Sequence, residues 1–151
     1  MNTTTRKILT GKAQGGFTLI EVIAVLVIVG MLAAVAIPKY LDMQTSAAAN
    51  AVRGAIAAGS SNVTMEYSAE MLAGEFTTMA NLATMLTSGG TRANGQVVTP
   101  YTTVGDFTVS YVAAANGITV TVTNAPDPIK GQMTKVQAMT PDPTVKLVTL
   151  Q

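Results

Sequence analysis

Between Phe17 and Ile37 the chain is apolar or small at almost every position, and Glu21 is the single charged residue among those 21. A helix built from such a run has no polar face, so it belongs in lipid or against other apolar helices. About 20 residues cross a bilayer as a helix, and the segment therefore predicts a membrane-spanning helix. Beyond Pro38 the pattern changes. Leu41, Ala48, Val52, Ile56, Gly59, Val63 and Tyr67 recur mostly at steps of three and four, the stripe of an amphipathic helix turned toward a core. Pro38 removes one helical hydrogen bond and is expected to kink or loosen the helix without ending it. Alanines and glycines between Ala47 and Gly59 thin this part and allow close backbone approach. A continuous helix from Phe17 to about Tyr67 would be roughly 75 Å long. Its first half has to lie in a membrane or against copies of itself, while its second half packs on what the remaining residues build.

Those residues change character twice. From Ala69 to Leu86, the apolar positions Met71, Leu72, Phe76, Met79, Leu82, Ala83, Met85 and Leu86 predict one or two short helices. They are broken near Gly74 and stopped by Ser88-Gly89-Gly90, with Met71, Met79 and Met85 at core positions. Thr91 to Tyr101 reads as a loop. Phe107, Val109 and Tyr111 then share one strand face, and so do Ile118, Val120 and Val122, with Asn116-Gly117 between them as a hairpin turn. Asp127-Pro128 and Asp142-Pro143 mark turns that bracket an expected strand at Gln132 to Met139, and Val145 to Leu150 is expected as the last strand. The fold class is thus α+β: a long N-terminal helix packed on a small antiparallel sheet.

Composition sharpens the picture. The chain is 151 residues long, 48% hydrophobic and only 11% charged, with a mean hydropathy of +0.39. There is room for one ordinary domain beside the apolar segment. No cysteine and no histidine is present. That removes disulfides, a lipid anchor on cysteine, most nucleophile-base pairs and the usual zinc ligands, so an enzyme, a metal site or a bound cofactor is not expected. Arg6, Lys7 and Lys12 precede the apolar run without any acid, whereas Lys39 and Asp42 follow it and cancel, which orients the N-terminus toward the cytoplasm.

Glu21 is the residue that a plain membrane anchor leaves unexplained. An acid at the bilayer centre costs roughly 2.5 to 3.5 kcal/mol on insertion scales, less toward the interface. Lys12 and Lys39 are the nearest cations and neither lies one helical turn away, so its partner is expected from another chain. An ordinary signal peptide cut after Ala34-Val35-Ala36 is a second reading of the segment, but the apolar run exceeds the usual length of about 7 to 15 residues and contains the acid.

The stretch Gly16-Phe17-Thr18-Leu19-Ile20-Glu21, after a short basic leader and before an apolar run and Pro38, closely resembles the class III signal of type IV prepilins and secretion pseudopilins. The resemblance implies that a prepilin peptidase removes residues 1–16 by cutting between Gly16 and Phe17, and that the new Phe17 amine is methylated. Glu21, four residues on, lies about 6 Å along a helix from that amine. As the resemblance implies, it sets the assembly register by pairing with a neighbouring subunit's Phe17 amine. Residues 17–38 would be the transmembrane and filament-core helix, and residues 39–151 an extracytoplasmic head with a helix at 39–68, a helical loop region at 69–88 and an antiparallel sheet at 106–151. Partners would be further copies of the chain, the peptidase, the pilus assembly machinery and the inner membrane before assembly. Pro38-Lys39-Tyr40-Leu41-Asp42-Met43-Gln44 also looks like the corresponding stretch of mannose-sensitive haemagglutinin-type pilins.

Loss of Arg6, Lys7 and Lys12 with the leader would leave six basic and eight acidic side chains, a balance of −2, which gives no reason to expect nucleic acid as a partner. Many pilins close a C-terminal loop with a disulfide; here packing or turns have to hold it. Glu66 and Glu70, one helical turn apart, could do acid/base work or bind a hard cation, but a solvated helix face is the expected reading. Calcium binding in a C-terminal loop of major pseudopilins makes Asp106, Asp127 and Asp142 weak candidates, without supporting spacing. The functional expectation is a structural subunit of a type IV pilus serving adhesion, attachment or motility. A type II secretion pseudopilin is the alternative, and a monomeric membrane-anchored periplasmic binding domain the alternative from another class.

Overall fold

A computed structural model describes residues 16–74, 78–92 and 94–150. Helix α1 spans Leu19–Ala73 and passes through Pro38 without interruption. It is followed by α2 (Met79–Ser88), β1 (Gly90–Thr91), β2 (Val97–Val98), β3 (Thr103–Val104), β4 (Phe107–Ala114) and β5 (Gly117–Asn124). A 3-10 turn at Ile129–Gln132, α3 (Met133–Gln137) and β6 (Val145–Thr149) complete the chain. The molecule divides into two units, residues 1–39 and residues 40–151.

The first unit holds the apolar part of α1. Its side chains are exposed on every face: Ile23, Val25, Leu26, Val27, Ile28 and Val29 are consecutive or nearly so, and all stand open. This is the one helix among the described residues that is long and apolar enough to cross a membrane.

The second unit is an α+β head. One stripe of α1, Val52, Ile56, Gly59 and Val63 with Ala48, Ala49 and Ala55, is buried in a single cluster with α2 (Leu82, Leu86), α3 (Val136) and one face of the sheet (Val109, Tyr111, Ile118, Val120). The sheet runs β3-β4-β5-β6, antiparallel throughout. The alternation expected for Phe107–Tyr111 and Ile118–Val122 is the pattern found, with Val109, Tyr111, Ile118, Val120 and Val122 buried. Gly59 serves close approach: a Cβ there would lie 2.9 Å from Val120 Cγ1.

Four expectations are corrected. Gln132 to Met139 is not a strand: Gln132 to Gln137 is helical and Ala138 and Met139 form the turn and bend that follow, while Ile129, Met133, Val136 and Met139, which pack on the core, stand at steps of four, three and three, a helix period. The β4–β5 turn is centred on Ala115-Asn116, because Gly117 already pairs with Ala114 and Thr149. Gly117 is needed there for space, since a Cβ would fall 1.9 Å from the Val148 carbonyl oxygen. The stretch Thr91 to Tyr101 is not wholly loop: Gly90 pairs with Val98 and Thr91 with Val97 in a short hairpin. Finally, Leu41 is 44% and Met71 53% exposed, so neither is a core residue, whereas Met79 packs on the core.

Helix ends follow the glycines. α1 stops at Ala73, where Gly74 takes φ 73°, and α2 stops at Ser88, where the N–H of Gly89 (φ 68°) donates to the Met85 carbonyl. Phe76 lies outside the described residues.

Candidate functional site

Gly16, Phe17 and Thr18 have no regular structure and precede the first turn of α1. Phe17 is 89% exposed, and among the described residues nothing packs on the Gly16-Phe17 peptide bond. Thr18 begins the helix. Its carbonyl accepts from the Val22 N–H, and its hydroxyl accepts from the Glu21 N–H at 3.3 Å. Glu21 answers: its Oε2 accepts from the Thr18 backbone N–H at 2.8 Å and from the Thr18 hydroxyl at 2.7 Å. This is a reciprocal capping box, in which a threonine N-cap and a glutamate at the third helical position satisfy each other's backbone donors. The expectation that this chain supplies no partner for Glu21 is therefore corrected: Thr18 is one. The Thr-x-x-Glu spacing was the available signal. Only Oε2 is engaged; among the described residues Oε1 accepts no hydrogen bond. The bonds bring no positive charge to the carboxylate.

Pro38 has no N–H to give to the Ala34 carbonyl, so the helical ladder lacks one rung between the apolar run and the head.

In the head, Glu66 and Glu70 are not solvated. They are 2% and 8% exposed and extend the buried stripe, since 52, 56, 59, 63, 66 and 70 keep alternating steps of four and three. Arg92, 7% exposed, meets both: Nη2 donates to Glu66 Oε1 at 2.5 Å and Nε to Glu70 Oε1 at 2.9 Å, while Nη1 donates to Gln96 Oε1. Burial pulls the guanidinium pKa down, but the bonds to Glu70 and Glu66 outweigh it and hold it above its ordinary value. Sequence reasoning missed this triad. Its signal was that Arg92 is the only basic residue between Arg53 and Lys130.

The acidic turn residues do not converge. Asp142 Oδ1 is committed to its own turn, accepting from the Thr144 N–H at 2.8 Å and hydroxyl at 2.7 Å. Among the described residues no group of three or more potential metal ligands comes together.

Comparison with known proteins bears on part of the chain. The prokaryotic N-terminal methylation motif matches residues 11–37. The type IV major alpha-pilin of Moraxella bovis is 47% identical over 51 residues, 34% of this chain and 32% of that protein. A fimbrial protein of Pseudomonas aeruginosa is 64% identical over 31 residues, 20% of each chain. Part of this chain is similar to type IV pilin and fimbrial proteins, and its N-terminal segment carries the prokaryotic N-terminal methylation motif. It covers about a third of the length of the first of these pilins. No solved structure matches, so the pilin-like architecture of the head rests on its own helix and sheet.

Proposed function

We propose that the chain is a structural subunit of a type IV pilus. It is inserted in the inner membrane, cut between Gly16 and Phe17, methylated at the Phe17 amine and polymerised through α1. The observation that carries this reading is the combination at the start of α1: an exposed peptide bond, a capped glutamate with one oxygen free, and an apolar surface open on every face. The cap supplies hydrogen bonds but no counter-charge, so an acid held in the membrane still carries a cost, smaller here near the interface than the roughly 2.5 to 3.5 kcal/mol at the bilayer centre. That cost favours any arrangement that brings a cation to Oε1, and the amine exposed by cleavage on a neighbouring subunit is such a cation. Apolar helices of further copies would cover Val22–Ile37 once lipid no longer does. The pilin segment supports self-association, and the prepilin peptidase and pilus assembly machinery are the partners that this processing requires. No step calls for catalysis by this chain.

Intact mass of the protein in sheared surface material, beside its membrane-fraction counterpart, tests the reading. A chain beginning at methylated Phe17 in the sheared material is expected. The processed mass confined to membranes would instead favour a type II secretion pseudopilin. A chain beginning at Met1, or cut after Ala36, would overturn the proposal.

A further inference from the structure

The end of α1 is electrostatically incomplete without a second element. An acid in the last turn of a helix opposes its dipole, and Glu70 stands in the final turn of α1, which holds no basic residue, with Glu66 one turn before it. Both are buried, so water cannot compensate them. The missing cation arrives from the segment between β1 and β2. Arg92 is itself held there: its N–H donates to the Gln96 carbonyl at 2.9 Å, its carbonyl accepts from the Gly95 N–H at 2.8 Å, and its guanidinium also engages the Gln96 side chain. That hairpin is equally incomplete. It has two residue pairs, Gly90 with Val98 and Thr91 with Val97, and Val97 is 71% exposed. A two-stranded ribbon of this size does not persist in water unaided.

We propose that Glu66, Glu70 and Arg92 form a buried latch that makes the last two turns of α1 and the β1–β2 hairpin order and open as one unit, apart from the β4–β5 sheet. Withdrawing Arg92 leaves two buried carboxylates with no counter-charge, so the helix end cannot stay docked when the hairpin leaves. Loss of the helix end leaves a buried guanidinium in the same position. The triad's contact with Tyr101 is long, Tyr101 Oη to Glu66 Oε2 at 3.5 Å, and neither Glu66, Glu70 nor Arg92 lies in β4 or β5. The latch depends on no reading of the N-terminal segment.

Hydrogen exchange of the full chain in detergent, with mass readout by peptide, tests it in Arg92→Gln and Arg92→Lys. The expected result is that amides of residues 67–73 and of residues 90–92 and 94–98 accelerate together, by about tenfold or more. Amides of β4 and β5 should keep their wild-type rates. Arg92→Lys keeps a positive charge but lacks the fork that reaches Glu66 and Glu70 together, so it supplies the same comparison if Arg92→Gln does not fold. Acceleration of one segment without the other, of neither, or of all amides in step would overturn the proposal.

Discussion

Gly54 and Gly59 sit on the same helix and differ in what stands over them. A Cβ on Gly54 would meet nothing within 4 Å, whereas one on Gly59 would meet Val120 Cγ1 at 2.9 Å and Tyr111 Oη at 3.6 Å. Opposite outcomes follow from the same substitution. Gly54→Ala should stabilise the head by about 0.5 to 1 kcal/mol, because alanine loses less backbone entropy in a helix. Gly59→Ala gains the same term but pushes a stiff β-branched side chain, and overpacking at about 1 to 3 kcal/mol should leave a net loss near 1 kcal/mol. Urea unfolding of both variants reads the two signs. Tyr111 gives a pH test. Burial raises its pKa, against a lowering by the Asn62 side chain, while its hydroxyl donates to the Tyr101 carbonyl at 3.0 Å. A folded-state pKa above the unfolded one means that the tyrosine's contribution is complete below about pH 10. It is then lost as pH rises through the folded value. Tyr111→Phe should therefore be less stable at neutral pH by about 1 kcal/mol, yet lose stability less steeply above about pH 10. Equal alkaline slopes for the two proteins would refute the assignment.

At the scale of elements, Glu21 caps α1 and, on the proposed pilus reading, also offers a charge to a neighbouring subunit, and the two tasks are separable. Glu21→Gln keeps an oxygen for the Thr18 N–H and hydroxyl, so the helix start and membrane insertion should persist while filament yield falls by about tenfold or more. Assembly at wild-type level in Glu21→Gln would reduce the residue to a helix cap. The β5–β6 pairing turns on Gly117. Gly117→Ala would place a methyl 1.9 Å from the Val148 carbonyl oxygen, so β6 should detach from the start of β5, with a loss of about 2 to 3 kcal/mol readable in denaturant. The legibility of these elements in the sequence follows from how local their causes are. The β4 and β5 alternation and the stops at Gly74 and Gly89 depend on neighbours a few residues away, and they could be read. The glycine of Asn116-Gly117 was misread as a turn residue because the strand that crowds it, β6, lies far along the chain. Gln132–Met139 was misread because two flanking Asp-Pro pairs suggested strand boundaries, although the apolar steps of four and three from Ile129 onward already pointed to a helix. At the N-terminal site, Phe17 and Glu21 stood out by pattern, but the role of Thr18 needed the cap spacing to be noticed. Glu66 and Glu70 were misjudged because charge was allowed to outweigh the period of the stripe they continue, and their partner is 22 or more residues away.

The molecule as a whole joins two units with opposite relations to water. Every residue of the main hydrophobic cluster among the described residues lies between Ala48 and Leu150, within the second unit. Phe17 to Ile37, by contrast, exposes Phe17, Leu19, Leu26, Met31, Leu32 and Val35 at 64% or more, with no buried residue in its most apolar window. An apolar surface of that extent is far larger than the few hundred Å² that monomeric soluble proteins tolerate in one patch. A chain shortened to begin at Tyr40 should therefore be a soluble monomer that unfolds cooperatively, while the full chain should need detergent, lipid or other copies of itself to stay dispersed. The shortened chain keeps α1 from Tyr40 onward, including the whole buried stripe and the Arg92 triad. Its denaturation midpoint should accordingly lie close to that of the full chain in a mild detergent. Sedimentation velocity over a tenfold concentration range checks the first expectation, and urea unfolding by circular dichroism checks the second. Association of the shortened chain would show that part of the self-association surface lies on the head, and loss of cooperative unfolding would show that the head depends on the apolar helix for its stability.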